Sequence, residues 1–362
     1  MTYTLLTCRG LAALALAFAV TAAISAYADE PLKVGFVYTN PIGDSGYTYQ
    51  HHVSAEAVKK AFGDKVIVSE VENVPEGPDA ERVITELATN GNKIVFTTSF
   101  GFMNPTLKAA AQFPDVKFEH ATGFKTANNM AKYNIRFYEG RYVAGLLAGK
   151  MSKTNTIGYI ASFPIPEVVM GINAAYLGAK KVNANVKFKI IWVSTWFDPG
   201  KEADAAKALI DQGADVIMQH TDSRAAVQVA AEKGIWAIGQ SSDMARFAPD
   251  NVLTSIANNW SPYVVARVKA VMDGTWTAGS SWQGLKDGAV TLPPINAKVP
   301  EDVRKMAEGA MADIAAGTLH PFTGPISKQN GSPWLAAGKT APDGDLLGMN
   351  FYVEGVDGQL PN

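Results

Sequence analysis

The sequence predicts an α/β protein built from two doubly wound parallel sheets. Short apolar strands alternate with helices throughout residues 33–239, and the same order of elements occurs twice along the chain. Parallel strands that are covered by helices on both faces are nearly continuous in apolar residues, as these strands are. The length of 362 residues agrees with two lobes of roughly 150 residues each.

The first repeat consists of four predicted strands joined by helices. The strands are expected at 33–39, 66–71, 93–98 and 116–120. Between them, helices are expected at 49–62 and at 79–90, the second of which ends at Asn90-Gly91. The loops that follow the carboxyl ends of the strands are 40–48, 99–104 and 121–125.

The second repeat has the same order. Its strands are expected at 156–161, 186–193, 215–219 and 235–239. Asp198-Pro199 supplies an N-cap and a proline for the first turn of a helix that runs to Gly213. Beyond residue 252 the pattern is less regular, with a strand at 253–256 and helices at 262–272 and 300–316. The expected domains are a leader at 1–28, lobes at 29–150 and 151–255, and crossing segments with a tail at 256–362.

Residues 1–28 are predicted to be a cleaved signal peptide. Arg9 is followed by an apolar stretch at 11–24 and by Ala26-Tyr27-Ala28, which has the small-x-small pattern of a cleavage site. Cys8, the only cysteine, precedes the apolar stretch, whereas a lipid-anchored cysteine would follow it. We therefore expect a thiol-free protein that diffuses in the periplasm.

The charge balance and the short motifs exclude several functions. The chain contains 32 Lys and Arg residues and 34 Asp and Glu residues, so no positively charged surface that would attract nucleic acid is expected. Gly43-Asp-Ser-Gly46 matches a serine-protease nucleophile segment, but it lies in an α/β repeat without the β-barrel context. Gly145–Lys150 lacks the Ser or Thr of a P-loop and is interpreted as a small-residue helix face. No histidine cluster has zinc spacing, and neither a metal nor a cofactor is predicted.

The loops at the carboxyl ends of the strands are rich in aromatic and polar residues. Ligands bind doubly wound sheets at these ends, so the loops of both lobes should face one cleft. The aromatic residues there are Tyr47, Phe100, Phe102, Phe124, Phe163, Trp196 and Phe197, and the polar ones are Asp44, Thr48, Ser99, Asn104, Glu167, Asp222 and Asp243. Rings from two lobes would stack on a flat heterocycle, and carboxylates would fix its orientation. Alternatively, Asp222 caps the following helix and Asp44 stabilises its turn.

Five segments of the chain resemble the basic membrane protein family, the purine nucleoside receptor type of substrate-binding protein for ABC importers. They are Lys33-Val-Gly-Phe36, Asp44–Tyr47, Thr122-Gly-Phe-Lys125, Tyr142–Lys150 and Ile238–Asp243. The resemblance implies a type I periplasmic-binding-protein fold, in which a hinge joins two doubly wound parallel-sheet lobes that close on a ligand. It also implies an inner-membrane ABC permease and ATPase as partners of a monomeric protein that is not an enzyme.

The resemblance assigns roles to individual residues. Tyr47 and Trp196 take the places of the two stacking rings, and Asp243 takes that of the acidic residue in a later loop. Thr48 replaces an asparagine of the family, and Asn258 lies where a lysine is often found; both family residues would serve the sugar of a nucleoside. These departures favour a free purine base such as adenine. The candidate ligand-binding residues are Asp44, Tyr47, Thr48, Ser99, Phe100, Gly101, Phe102, Glu167, Trp196, Asp222, Asp243 and Asn258.

Three other functions stay open at this point, one of which is a sensor subunit that hands its ligand-loaded closed form to a membrane receptor. A sugar receptor of the same fold would also use aromatic pairs, although it would need more Asn, Asp and Arg than these loops contain. An exported enzyme acting on nucleosides would need a positioned base and nucleophile or a metal, and the sequence contains no such group of residues.

Overall fold

A computed structural model describes residues 30–361, so the predicted leader at 1–28 lies outside the described residues. The strands are β1 Leu32–Val37, β2 Val66–Val71, β3 Ile94–Thr97, β4 Lys117–Ala121, β5 Met130–Ile135, β6 Thr156–Ala161, β7 Lys187–Trp192, β8 Val216–Gln219, β9 Trp236–Ser241, β10 Val252–Asn258, β11 Ser280–Gln283, β12 Val290–Thr291, β13 Ile326–Ser327 and β14 Pro333–Leu335. The helices are α1 Gly46–Phe62, α2 Pro78–Thr89, α3 Met103–Gln112, α4 Phe137–Met151, α5 Pro166–Val182, α6 Pro199–Asp211, α7 Ala225–Glu232, α8 Ser261–Met272, α9 Glu301–Ala316 and α10 Asp343–Leu347. None of the described helices is long and apolar enough to span a membrane.

Two six-stranded sheets organise these elements. The first sheet has the order β11-β5-β4-β3-β1-β2, and the second has the order β12-β10-β9-β8-β6-β7. All pairs in the first sheet are parallel, and in the second sheet only β12 is antiparallel to its neighbour. The predicted fold class is confirmed. We call the first sheet, with the helices that pack on it, the first lobe, and the second sheet, with its helices, the second lobe.

The chain passes between the lobes three times. It crosses after β5, after β10 and again between β11 and β12. Helix α8 packs against α1 in the first lobe, whereas α4 packs along α5 and α9 in the second. The segments beyond residue 252, which the sequence pattern left unassigned, therefore alternate between the lobes.

Glycines let α4 and α5 approach closely. A Cβ atom on Gly145 of α4 would lie 2.1 Å from the carbonyl oxygen of Ala175, and one on Gly178 of α5 would lie 2.1 Å from that of Tyr142. Only a residue without a side chain fits such a backbone contact. The interpretation of 145–150 as a small-residue helix face is thereby confirmed.

The tail after Gly317 is fixed to the second lobe by a buried amide. Asn173 of α5 is fully buried; its Nδ2 donates to the carbonyl oxygen of Phe351 (2.8 Å), and its Oδ1 accepts from the Val353 N–H (3.0 Å). This pairing satisfies both ends of the amide. It also holds α10 close to the amino end of α5.

Replacing Gly145 with Ala should destabilise the protein by about 1–3 kcal/mol, because the new methyl group forces α4 and α5 apart. The control is Gly309, which is exposed inside α9 and has no atom close to where a Cβ would lie. Gly309→Ala should stabilise the helix by about 0.5–1 kcal/mol. Urea unfolding measures both changes, and a Gly145→Ala variant as stable as wild type would contradict the packing argument.

Candidate functional site

A cavity of about 400 Å³ lies between the carboxyl ends of the two sheets. Six of the sequence-predicted residues line it, namely Tyr47, Ser99, Phe100, Glu167, Trp196 and Asp222. The other lining residues are Thr39, Asn40, Thr98, Thr122, His220 and Gln240.

Tyr47 forms one wall of the cavity from the first lobe. Helix α1 begins at Gly46 rather than at residue 49, so Tyr47 lies in its first turn and not in a loop. The ring packs edge-on against His51, with centroids 4.6 Å apart, and against Trp260 at 5.9 Å. Its hydroxyl is buried without a hydrogen-bond partner among the described residues, and burial raises its pKa well above the usual value. A neutral phenol is therefore free to bond a ligand.

Trp196 lies on the opposite wall, in the second lobe. Its ring is 5.0 Å from that of Phe163, and its carbonyl oxygen accepts from the Asp222 N–H at 2.9 Å, which fixes the loop after β7. The indole Nε1 donates across the cleft to Glu76 Oε1 at 3.3 Å. Tyr47 and Trp196 thus bring one aromatic ring from each lobe to the same cavity.

Ser99 and Gly101 serve mainly to hold Glu76. The Ser99 hydroxyl and the Gly101 N–H, the latter at 3.1 Å, both donate to Glu76 Oε1. Ser99 still lines the cavity, whereas Gly101 does not. Glu76 itself was not singled out from the sequence, although it lies in the loop that joins the carboxyl end of β2 to α2.

The carboxylate of Asp222 joins the two lobes. Its Oδ1 accepts from the Tyr47 N–H at 2.9 Å and its Oδ2 from Asn40 Nδ2 at 3.2 Å. The alternative role as a helix cap is wrong, because α7 begins at Ala225 after Arg224. Burial raises the pKa of Asp222 to about 7, although the hydrogen bonds to Tyr47 and Asn40 act in the opposite direction.

Asp44 lies at the rim of the cleft and not in the cavity. Its Oδ2 accepts from Arg224 Nη1 of the second lobe at 2.7 Å, and its carbonyl oxygen accepts from Arg246. Its side chain is 55% exposed, so the ion pair is screened by solvent and contributes little stability by itself. Thr48 is buried beside this rim, outside the cavity lining.

Three other predicted residues lie away from the cavity. Phe102 is fully buried in the core of the first lobe, because the segment after β3 forms a helical turn that directs this ring inward. Asp243 is exposed, and its Oδ1 accepts from the Ala245 N–H at 2.9 Å, so it caps a local turn. Asn258 ends β10 and is buried, with no hydrogen-bond partner for its amide among residues 30–361.

Gln240 is a lining residue that the sequence reasoning missed. Arg141 of α4 is fully buried behind it and donates to Gln240 Oε1 and, at 2.7 Å, to the carbonyl oxygen of Gln219. Because a guanidinium group only donates hydrogen bonds, Gln240 Oε1 faces Arg141 and its NH₂ group is left for the cavity. The position of Gln240 near the carboxyl end of β9 could have indicated that it lines the cavity. No local sequence pattern indicates that Arg141 lies behind it.

Glu167 supplies an acceptor to the cavity. It lies in the first turn of α5, where the helix dipole favours a carboxylate. Its Oε2 accepts from Asn134 Nδ2 at 2.8 Å, and its Oε1 is 3.5 Å from His220 Nε2. Burial is the main cause that lowers the pKa of His220, so this imidazole is neutral near pH 7.

In the described part of the chain, one group of side chains has the spacing of a metal site. His52 and Glu56 of α1 lie near Glu70 of β2. The Lys59 ammonium already lies 2.7 Å from Glu56 and 3.0 Å from Glu70, and His52 Nδ1 is 2.7 Å from Glu70. These contacts account for the group as an ion-pair network on the surface of the first lobe.

Comparisons with known proteins place this fold and cleft among transport proteins. The sequence model of the family described as "ABC transporter substrate-binding protein PnrA-like" matches residues 32–312. A purine-binding protein of Brucella abortus is 59% identical over 337 residues, which cover 93% of this chain and 96% of that protein. A protein of Haloferax volcanii named as a glucose-binding protein of an ABC transporter is 35% identical over 92% of this chain and 82% of its own length.

Solved structures with the same fold include two solute-binding proteins of ABC transporters. The protein from Conexibacter woesei has a TM-score of 0.63 at 23% identity, with 80% of this chain and 98% of that chain covered. The protein from Aeropyrum pernix has a TM-score of 0.69 at 18% identity, with 82% and 93% covered. At these identities the likeness shows the fold.

Replacing Gly46 with Ala should hold the cleft open. Gly46 has a φ of +94°, and its added Cβ would lie 2.6 Å from the carbonyl oxygen of Asp222 in the other lobe. Gly43→Ala is the control, because its φ of +59° imposes similar strain but no atom lies near its Cβ. Small-angle X-ray scattering should give a larger radius of gyration for Gly46→Ala than for Gly43→Ala and wild type. Equal radii would contradict the role of this contact.

Proposed function

Since the chain belongs to the PnrA-like family of ABC transporter substrate-binding proteins, we propose that its cavity binds a purine, a free base in preference to a nucleoside. Proteins of this kind bind small molecules in the periplasm or outside the cell and work with a membrane permease and an ATPase. The family consists of substrate-binding proteins rather than enzymes. The further proposal is that this protein is a periplasmic monomer, released by cleavage of residues 1–28, that delivers its ligand to an inner-membrane permease.

The observation that carries the proposal is the pair of rings, one from each lobe, at a single cavity. Tyr47 and Trp196 both line it. A flat heterocycle between them touches both lobes only when the cleft is closed, and this difference in affinity shifts the equilibrium towards closure. Stacking of a base on an aromatic ring contributes about 1–3 kcal/mol.

The polar groups of the cavity suit the edge of a purine. The NH₂ group of Gln240 donates to a ring nitrogen or carbonyl oxygen, and the carboxylate of Glu167 accepts from a ring N–H or an exocyclic amine. Nε2 of His220, whose pKa is lowered by burial, lies 3.5 Å from Glu167 Oε1. Ligands without these complementary groups would leave buried polar atoms unpaired, which is costly.

The preference for a free base rests on the positions that would serve a sugar. Thr48 is turned towards the rim, and Asn258 is part of β10 outside the cavity lining. Neither residue lines the cavity. Three of the lining residues, Phe100, Tyr47 and Trp196, are aromatic and offer flat faces to a planar ligand.

A second candidate ligand is a sugar, because the Haloferax volcanii relative is named as glucose-binding. Aromatic rings also stack on the faces of sugars. The purine-binding relative, however, is 59% identical to this chain, whereas the relative named as glucose-binding is 35% identical. We therefore rank a purine ahead of a sugar.

The deciding experiment is mass spectrometry of small molecules released by denaturing protein that was purified under native conditions. A stoichiometric purine base supports the proposal as stated. An intact nucleoside would support a purine ligand and contradict the preference for a base, and a sugar would overturn the purine proposal. If no molecule is retained, calorimetry with adenine, guanine, adenosine and glucose decides among the same outcomes.

Trp196→Ala should weaken purine binding roughly tenfold or more, because a stacking face is lost. Trp236→Ala is the control: this half-buried tryptophan begins β9, at the end of the second sheet away from the cavity. Circular dichroism should show that both variants are folded, and calorimetry should show a loss of affinity for Trp196→Ala alone. Unchanged affinity in folded Trp196→Ala would defeat the stacking assignment.

Gln240→Glu should weaken purine binding about tenfold or more while the fold is kept. One carboxylate oxygen would pair with Arg141, and the other would face the ligand acceptor in place of an NH₂ donor. Gln112→Glu adds the same charge on an exposed position of α3 and should bind as wild type. Equal affinities of the two variants would show that Gln240 does not bond the ligand.

A further inference from the structure

We propose that a second chamber beside the cavity binds an alkyl substituent of the purine, so that the preferred ligands are N-alkylated bases. The inference rests on the proposed function and names the ligand class more closely. The chamber has a volume of about 670 Å³ and shares Phe100, Thr122 and Glu167 with the cavity. The two spaces therefore adjoin at these three residues.

The wall of the chamber is mainly apolar and comes from distant parts of the chain. Phe124 follows β4 in the first lobe, Ile165 and Met170 lie at the start of α5, and Leu347 comes from α10 in the tail. Trp282 of β11 completes this wall. An alkyl group here would contact both lobes and the tail.

Two apolar side chains at the chamber are unusually exposed. Phe124 is 63% and Leu347 is 44% exposed, and among the described residues only Ile67, at 47%, is a third large apolar side chain of this kind. Exposed apolar groups that cluster at one place mark a binding surface more often than isolated ones do. Phe124 also lies 6.3 Å, between ring centroids, from Phe100 at the junction with the cavity.

Two polar side chains of the wall are already paired. Asn134 Nδ2 donates to Glu167 Oε2 at 2.8 Å, and Trp282 Nε1 donates to the carbonyl oxygen of Ile135 at 3.0 Å. The wall also contains the polar groups of Lys132, Tyr133, Ser280 and Ser281, of which the Tyr133 hydroxyl is buried without a hydrogen-bond partner among the described residues. A ribose would need partners for several hydroxyl groups among these four, whereas an alkyl chain needs none and meets a wall that is mainly apolar. The chamber therefore favours the alkyl chain.

Calorimetry with adenine, N6-butyladenine, N9-butyladenine and adenosine tests the inference. One of the two butyl derivatives should bind at least tenfold more tightly than adenine, because each buried methylene improves affinity about fourfold. Adenosine should bind no more tightly than adenine. N6 and N9 lie on different edges of the purine, so the two butyl derivatives test the base with either edge facing the chamber.

Variants of the exposed residues test whether the chamber causes the gain in affinity from the butyl group. Phe124→Ser and Leu347→Ser should each reduce the gain from the butyl group at least threefold and leave the affinity for adenine unchanged. Ile67→Ser removes an equally exposed apolar side chain from β2, outside the chamber, and should keep the full gain. Because all three side chains are exposed, the variants should fold.

The outcomes separate the inference from the proposed function. If adenine binds and neither butyl derivative binds more tightly, the chamber proposal is overturned and the purine function stands. Tighter binding of adenosine than of all three bases would assign the chamber to a ribose instead. If none of the four compounds binds, the purine function and the chamber proposal fail together.

Discussion

The carboxylate of Asp222 is the contact on which the closed cleft depends. It is buried between the lobes and accepts hydrogen bonds from the Tyr47 backbone and the Asn40 side chain. Because these donors belong to the first lobe, the bonds exist only when the sheets face each other. They also set the place of the Tyr47 ring, and closure brings Trp196 opposite to it. The ligand site is thus a product of closure rather than a property of either lobe.

The fold and the position of the candidate cavity could be predicted because both follow from local patterns. Alternating apolar strands and helices indicate parallel sheets, and the carboxyl-end rule then selects the loops. Tyr47, Trp196 and Glu167 were found in this way. This rule selects loop segments but does not say where their side chains point. Phe102 and Asp243 were selected because they lie in these loops, but Phe102 is buried in the core and Asp243 is exposed on the surface.

The residues that the sequence analysis missed contact partners that are far away along the chain. Arg141 lies in the middle of a helix and reaches Gln240, ninety-nine positions further on. Glu76 receives the indole N–H of Trp196 from the other lobe. Leu347 reaches the chamber from the tail, which Asn173 ties to α5. None of these contacts leaves a periodic signal, since each is decided by packing between elements that are far apart along the chain.

The triple crossing between the lobes imposes an order on folding. Strand β11 completes the edge of the first sheet, yet it is synthesised after β6 to β10 of the second. Helix α8, which covers α1, is also made late. A chain that emerges from its amino terminus therefore cannot finish its first lobe until most of the second has been made. Neither lobe is a contiguous segment, so neither can be cut out and expressed as an independent domain.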